Sequence, residues 1–153
     1  SLISRRADDE IIVFRNERVF FAKTDVRAFG EIGHFTDSEK NISIMAGDPL
    51  LANADAQNRE AELIQIHKKL TNANFDILTE ANGVFSLANF QDETLTLITD
   101  KLGIRPVYYW LGEDYIVFAS ALRILEKFSL VPKKMNVRAV TEIVGLGYAL
   151  GDR

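Results

Sequence analysis

The amino-acid sequence predicts an α+β domain rich in strands. Short runs of β-branched and aromatic residues recur along most of the chain, and four of them follow one another closely between residues 83 and 118. Helical periodicity is limited to one longer segment and two short segments near the end. This tally of roughly half strand with three helices is typical of the α+β class.

A hairpin is predicted at the start. Residues 10–14 and 18–22 are β-branched and aromatic runs, and the polar residues between them place Asn16 at the tip. Residues 27–41 contain two glycines with Asp, Ser and Thr but show no sustained period, which predicts an irregular excursion. Residues 41–46 are predicted to form the next strand.

A break in the sheet is predicted after this strand. Pro49 has no amide proton for a strand ladder, and Gly47 permits backbone angles that other residues avoid. We therefore expect a loop to start at Gly47, in a position where a functional loop could lie.

Residues 58–70 form the clearest helical pattern. Leu63, Ile66 and Leu70 recur at helical spacing, with Ile64 beside them. The other positions include charged and amide side chains, which predict a solvated face. These are Glu60, Gln65, Lys68 and Lys69.

Two further hairpins are predicted in series, from residues 83–88 with 94–98 and from 107–110 with 115–118. Several of these strands are apolar on both faces, as expected for a sheet that is covered twice. We expect a second sheet on one face and helices on the other. Two short helices should follow, with Ser120 and Asn136 as their N-caps.

Composition limits the possible functions. The 153 residues are 47% hydrophobic and 26% charged, with a net charge of −4, which is typical of one soluble globular domain and argues against nucleic acid as a partner. No apolar run approaches the ~20 residues that span a bilayer, so we expect a cytoplasmic protein. There is no cysteine, hence no thiolate nucleophile, disulfide or zinc–thiolate site.

Other catalytic signals are weak. His34 and His67 are the two histidines, and neither has a local Ser-His-Asp or zinc signature; His67 is expected to be solvated beside Lys68. Ser1 lacks a following glycine and precedes the first β-rich run by nine residues, so it is expected on a frayed terminus.

Three ordered motifs carry a family resemblance: Gly83-Val-Phe-Ser-Leu, Asp100-Lys-Leu-Gly-Ile-Arg-Pro-Val-Tyr-Tyr, and Phe118-Ala-Ser-Ala-Leu-Arg-Ile-Leu. Their order and spacing resemble the class II glutamine amidotransferase domain that opens asparagine synthetases. The resemblance covers about residues 9–144. It implies an Ntn-hydrolase fold, in which two stacked antiparallel sheets are flanked by helices. Asp100, Gly103 and Pro106 are expected to form a structural turn of that scaffold.

The resemblance also implies where a glutamine site would lie. In the family the nucleophile is the cysteine of an initial Cys-Gly-Ile, which has no counterpart before Asp8. Thr24 falls near the arginine that would hold the glutamine carboxylate. Ala46 and Gly47 match the Asn-Gly pair that stabilises the oxyanion, so only the backbone amide of Gly47 is retained. The Ser-Asp-x-Glu segment matches residues 59–62, which makes Glu60 the best surviving substrate-binding candidate. The alternative is that Glu60 is a first-turn carboxylate favoured by the helix dipole and binds no ligand.

These substitutions favour a degenerate glutaminase-like domain with no catalytic residue and no metal site. Residues 1–153 would be a single domain that lacks the family's N-terminal start and C-terminal synthetase domain. ATP and Mg²⁺ are expected only with that absent domain, where the family activates aspartate for amide formation. The alternative is a non-catalytic docking module, whose partner would be its own synthetase domain or a second copy in a homodimer.

Overall fold

The computed structural model describes residues 10–25, 28, 33–52 and 58–151. Within these ranges the chain forms eight strands and four α-helices. The strands are β1 (Glu10–Arg15), β2 (Phe20–Asp25), β3 (His34–Thr36), β4 (Ile42–Asp48), β5 (Val84–Gln91), β6 (Thr94–Thr99), β7 (Tyr108–Leu111) and β8 (Ile116–Ala119). The helices are α1 (Arg59–Thr71), α2 (Ile77–Glu80), α3 (Leu122–Lys127) and α4 (Val137–Leu146).

A four-stranded antiparallel sheet lies at the centre, in the order β3-β4-β5-β6. Its central pair, β4 and β5, runs in register from Ile42 opposite Phe90 to Asp48 opposite Val84. Side chains from β4 and β5 enter one core cluster on each face of the sheet. The predicted two-sided coverage is therefore confirmed.

Helices α1 and α2 cover one face. The apolar stripe of α1 is fully buried at Leu63 and Ile66, and it packs against Met45 of β4 and Leu87 of β5. Removing a side chain of this size from water stabilises a fold by about 1.5–3 kcal/mol. The helix that the periodicity predicts is present, one residue later at each end.

Two hairpins cover the other face. β1–β2 and β7–β8 are antiparallel pairs, and the rings of Phe21 and Phe118 bring them together edge to face at 5.5 Å. Phe21 also packs with Ile42 and Ala88 of the central sheet. The α+β class and the layered antiparallel architecture are thus confirmed. In the described residues, however, the second layer consists of two separate hairpins.

Local chemistry explains several element ends. Asn16 lies at the first hairpin tip as predicted, where its Oδ1 accepts hydrogen bonds from the backbone N–H groups of Arg18 and Val19. Asn136 caps α4 by accepting from the N–H of Ala139 at 3.1 Å. The predicted cap at Ser120 is wrong, because α3 begins at Leu122 after an extended Ala121 that makes no side-chain cap.

Three further differences concern the strands and helices. β3 lies inside the segment predicted to be irregular, since a three-residue strand is too short to show a period. The predicted break at Gly47 is wrong, because β4 continues through Gly47 and Asp48 and ends before Pro49. α2 was not predicted because it is a single turn. Among the described helices, none has the length and apolar character to cross a bilayer.

Candidate functional site

The end of β4 requires glycine at position 47. Gly47 has a φ of +90°, a backbone conformation that is unfavourable for residues with a side chain. A Cβ atom at this position would also overlap the carbonyl oxygen of Val84 and lie 2.8 Å from Nε of Arg105. Gly47 is consequently buried between the neighbouring strand and the Arg105 side chain.

A buried arginine lies beside this glycine. Arg59, the first residue of α1, is 7% exposed. Its Nε donates to the carbonyl oxygen of Gly47 at 2.7 Å, and its Nη2 donates to that of Met45 at 3.2 Å. Because residues 45 and 47 of a strand present their backbone groups to the same side, the guanidinium lies along one edge of β4.

This edge position follows from the length of β3. The last β3 pairing is His34 opposite Ile44, and the N–H of Met45 donates to Gly33 just before the strand. Where β3 no longer pairs with β4, the Arg59 guanidinium therefore bonds the β4 carbonyl groups that a longer β3 would have bonded. Charge-assisted hydrogen bonds of this kind compensate the desolvation of a buried arginine.

The start of α1 brings Glu60 to the same region. Asn58 caps the helix by accepting from the N–H of Ala61 at 2.8 Å. Glu60 is exposed in the first turn, next in sequence to the arginine that contacts Gly47. The two substrate-binding candidates thus lie at one junction, between the end of β4 and the N-terminus of α1.

Glu62 is buried two residues farther along the helix. It is 7% exposed, and its Oε1 accepts from the N–H of Leu51 at 3.1 Å. Burial raises the pKa of the Glu62 carboxyl above its ordinary value, and the nearby charge of Asp48 raises it further. The hydrogen bond from the N–H of Leu51 lowers this pKa but does not outweigh the effect of burial. Sequence reasoning missed both Arg59 and Glu62, although they share the helix face of Leu63, Ile66 and Leu70.

The substituted positions lie in two different layers. Ala46 pairs with Ser86 inside the central sheet, next to Gly47. Thr24 lies on β2, opposite Ile11, and its buried Oγ1 has no hydrogen-bond partner in the described structure. A hydroxyl cannot form the two parallel bonds to a carboxylate that an arginine forms.

Asp100 organises the turn before β7. Its carboxylate accepts from the N–H groups of Leu102, Ile104 and Arg105 at 2.9–3.1 Å. The N–H of Arg105 lowers the pKa of Asp100 most, and with the other donors it outweighs the opposing effect of burial. Gly103 has a φ of +63°, which the turn needs.

This turn also reaches the candidate site. Pro106 is exposed and leads into β7, and the side chain of Arg105 extends back to Gly47. The structure therefore brings the turn formed around Asp100 next to Gly47, the end of β4 and the start of α1.

A series of hydrogen-bonded polar side chains lies between α1 and the central sheet. Ser43 Oγ is 2.9 Å from Nδ1 of His67, Nε2 of His67 is 3.2 Å from Oδ2 of Asp37, and Asn89 donates to Ser43 Oγ at 3.0 Å. The prediction of a solvated His67 is wrong, because this side chain is 1% exposed. Its position one residue after Ile66, on the apolar stripe, could have indicated burial.

This Ser-His-Asp chain does not have the geometry of a catalytic triad. Ser43 is fully buried, and its oxygen already accepts a hydrogen bond from Asn89. The order is also reversed, since a catalytic serine bonds Nε2 and the aspartate bonds Nδ1. The described residues contain no group of three or more His, Cys, Asp or Glu side chains that could hold a metal ion. Ser1 lies outside the described residues.

A family model described as the glutamine amidotransferase domain matches residues 57–153, which is more than half of the chain. The chain belongs to this glutamine amidotransferase domain family. The match begins just before α1 and includes the Asp100 turn. It therefore includes two of the segments that form the candidate site, but not the end of β4. The motif resemblance from the sequence is confirmed.

One curated relative extends the comparison. The chain is 24% identical, over 147 residues, to a protein named putative asparagine synthetase [glutamine-hydrolyzing] 2 from Methanocaldococcus jannaschii. The match covers 94% of this chain and 26% of the relative, so the chain spans about a quarter of that protein's length. No solved structure matches the chain.

Proposed function

We propose that this chain is a degenerate glutaminase-like domain of an asparagine-synthetase-like amidotransferase and that it does not hydrolyse glutamine. The observation that carries the proposal is the environment of Gly47. Arg59 donates to the Gly47 carbonyl, and the side chain of Arg105 lies against the same residue. By the motif match, Arg59 stands where the family has a serine, so a long buried side chain fills this side of the site.

Two more positions support the loss of hydrolysis. Ala46 has no side-chain donor for an oxyanion, and losing one such donor lowers rates about 10²- to 10³-fold. Thr24 has no charge with which to hold a substrate carboxylate. The 153 residues contain no thiol, the nucleophile that the family uses to attack the glutamine amide.

Glutamate release tests this directly. The purified chain is incubated with glutamine, and glutamate is measured over time. We expect no turnover above the buffer control, whereas a rate of about 1 s⁻¹ or more, which is ordinary for an enzyme, would contradict the proposal.

The parent protein is proposed to form an amide on aspartate or a related acid in the cytoplasm. ATP and Mg²⁺ would act in a separate synthetase domain and not in this chain. The full natural protein is assayed with ATP, Mg²⁺ and aspartate, using either ammonia or glutamine as nitrogen source. We expect product with ammonia only. Equal rates with glutamine would show that hydrolysis is retained in the parent.

The exposed face of α4 favours docking as a second function. Its residues are all at least partly exposed, and five apolar side chains are more than 40% exposed. These are Val137, Val140, Ile143, Val144 and Leu146. Apolar faces of this kind mark interaction surfaces. Because α4 is the last described helix and the relative is about four times longer than its match, we propose the synthetase domain of the same polypeptide as the partner.

A binding experiment separates the possible partners. The chain is mixed with the separately produced remainder of its natural polypeptide, and complex formation is followed by calorimetry. We expect binding that Val140→Glu together with Val144→Glu weakens at least tenfold, while Gly145→Glu, where an added side chain meets open space on another face of the helix, does not. Binding that the double variant leaves intact would refute the role of α4. A concentration-dependent dimer of the chain alone that the double variant prevents would instead identify a second copy as the partner.

A further inference from the structure

Strand β6 forms one edge of the central sheet. It is last in the order β3-β4-β5-β6, and β5 is the described strand with which it pairs. Its six residues, Thr94-Leu-Thr-Leu-Ile-Thr, contain no charge, proline or glycine, and their register with β5 is unbroken. Natural sheet edges usually carry charges, proline or a bulge, because an open edge is a template for another strand. Within β6 none of these protections is present.

The register shows which backbone groups of β6 face outward. The N–H of Asp100 donates to the carbonyl oxygen of Phe85 at 2.9 Å, directly after the last paired residue of β6. In an antiparallel ladder every second residue bonds the neighbouring strand, and the residues between them face the other way. The even-numbered residues of β6 therefore bond β5. The N–H and C=O groups of Leu95, Leu97 and Thr99 point to the open edge.

Apolar side chains next to this edge are incompletely covered. Leu95 and Leu97 are half-buried on the face of the sheet that the hairpins cover, and Ile98 is half-buried on the face that the helices cover. A further strand beside β6 would remove more of this apolar surface from water on both faces of the sheet. Such burial favours association.

Opposite charges lie at the two ends of β6. Asp92 and Glu93 precede it in an exposed turn, and the exposed Lys101 follows it. The ammonium of Lys101 donates to the carbonyl oxygen of Thr79 and to Oδ1 of Asn82, which leaves a third N–H for another acceptor. An antiparallel partner strand complements these charges if it carries the same charges in the same order. A second copy of β6 is such a strand.

Two-fold symmetry limits how two β6 strands can pair. Residues that lie opposite each other must share a face of the sheet, so the axis passes through a residue and not between two residues. With Leu97 on the axis, Leu95 lies opposite Thr99 of the second copy, and all the outward N–H and C=O groups of β6 gain partners. Glu93 then lies opposite Lys101. Moving the axis by one residue leaves either Leu95 or Thr99 without a partner in β6.

We propose that two copies of this chain associate through their β6 edges, with Leu97 on the two-fold axis, so that their central sheets form one continuous antiparallel sheet. The same surface is used by both copies, so the contact pairs both edges and closes as a dimer. The interface uses residues other than those of α4, and it does not depend on whether the chain hydrolyses glutamine.

Amide exchange over a concentration series tests this interface in the whole chain. Sedimentation equilibrium gives the monomer–dimer constant, and NMR gives the exchange rate of each amide. We expect the N–H groups of Leu95, Leu97 and Thr99 to gain about tenfold or more protection as the dimer forms. The N–H groups of Thr96 and Ile98 bond β5 in the monomer as well, so they should be protected at every concentration.

Charge reversal tests the antiparallel direction of the pairing. Lys101→Glu places like charges opposite each other at both ends of the dimer interface and should weaken association about tenfold. Glu93→Lys should do the same. The two changes together should restore association, because opposite charges then face each other again. Lys133→Glu changes the net charge equally at an exposed position outside β6 and should have no effect.

Two further variants locate the interface. Thr99→Pro removes one outward N–H without taking a bond from β5, and it should weaken association about tenfold; if it does not fold, the charge reversals carry the test. Val140→Glu with Val144→Glu, on α4, should dimerise like the unaltered chain.

Four results would overturn the proposal. The first is a chain that stays monomeric up to its solubility limit, and the second is a double charge reversal that does not restore association. The third is a dimer that the α4 double variant abolishes. The fourth is protection of the outward amides that appears only when the remainder of the natural polypeptide is added, which would assign the edge to that partner.

Discussion

At the scale of single residues, the candidate site combines two buried charged side chains, Arg59 and Glu62, with the exposed side chain of Glu60. Gly47 and Glu60 could be named from the sequence because motifs carry them. Arg59 and Glu62 lie in the same matched segment, but their burial was not predicted, since arginine and glutamate are almost never fully buried unless they are paired. Their partners are backbone groups of Met45, Gly47 and Leu51, and these contacts leave no pattern in the sequence.

The polar chain through Ser43 offers a test at this scale. Ser43→Ala leaves Nδ1 of His67 and the amide of Asn89 without their shared partner, in a fully buried position. Leaving buried polar groups unpaired costs about 1–3 kcal/mol, so we expect the free energy of unfolding to fall by that amount. Urea denaturation measures it.

The matched control is Ser86→Ala, another buried serine on the neighbouring strand β5. It should have the smaller effect. Because Asp37 accepts at Nε2 and Ser43 can donate to Nδ1, His67 should also carry its proton on Nε2 in NMR spectra of the unaltered chain. A proton on Nδ1 would contradict this hydrogen-bond direction.

At the scale of elements, hydrophobic periodicity predicted the helices and strands that are long enough to show a repeat. α1 and the strands of the three hairpins were placed within a few residues. β3 and α2 have three and four residues and cannot establish a period. The continuation of β4 through Gly47 was missed because a glycine usually weakens a strand, whereas here the contact with Arg105 and Val84 requires it.

The turn between β5 and β6 offers the element-scale prediction. Asp92 and Glu93 have φ values of 45° and 62°, which is the pattern of a type I′ turn formed by two residues that disfavour it. Changing them to Asn and Gly should stabilise the chain by about 1 kcal/mol, measured by thermal unfolding. The exposed ion pair of Glu93 with Arg18 contributes little to offset this gain.

A control separates backbone from charge. Glu93→Gln removes the ion pair while the unfavourable backbone angle stays, so its stability should change by less than about 1 kcal/mol. If the Asn-Gly variant proves no more stable than Glu93→Gln, the backbone conformation of this turn is not the source of strain.

At the scale of the whole molecule, the class and the double coverage of the sheet could be predicted because strands apolar on both faces demand two covers. The separation of the second layer into two hairpins could not, since pairing between distant strands depends on the complete packing. The same holds for the site, which forms where three distant segments meet: the end of β4, the start of α1 and the Asp100 turn.

The response of the whole molecule to acid follows from two carboxylates. Hydrogen bonds from Asn41 and His67 hold the pKa of Asp37 below its ordinary value although burial raises it, and the pKa of Asp100 is lowered by the N–H of Arg105. Depressed values give stability that is present above about pH 4 and is lost as the pH falls through the folded values. We expect the midpoint of urea unfolding to fall steadily from pH 4 to pH 2.

Single substitutions show which carboxylates cause this loss of stability in acid. Asp100→Asn and Asp37→Asn should each lower stability at pH 6 and reduce the loss between pH 4 and pH 2, because each removes one titrating group. Asp114→Asn, in an exposed turn, should leave the profile unchanged. If the loss of stability between pH 4 and pH 2 is the same in both the Asp37 and Asp100 variants as in the unaltered chain, other carboxylates cause the acid response.

The guanidinium along the edge of β4 constrains how the family can vary. A methyl group at Gly33 would collide with the Arg59 side chain and with the Met45 carbonyl. While Arg59 holds these carbonyl groups, position 33 has no room for a side chain. Two positions that are 26 residues apart in the sequence are therefore expected to depend on each other.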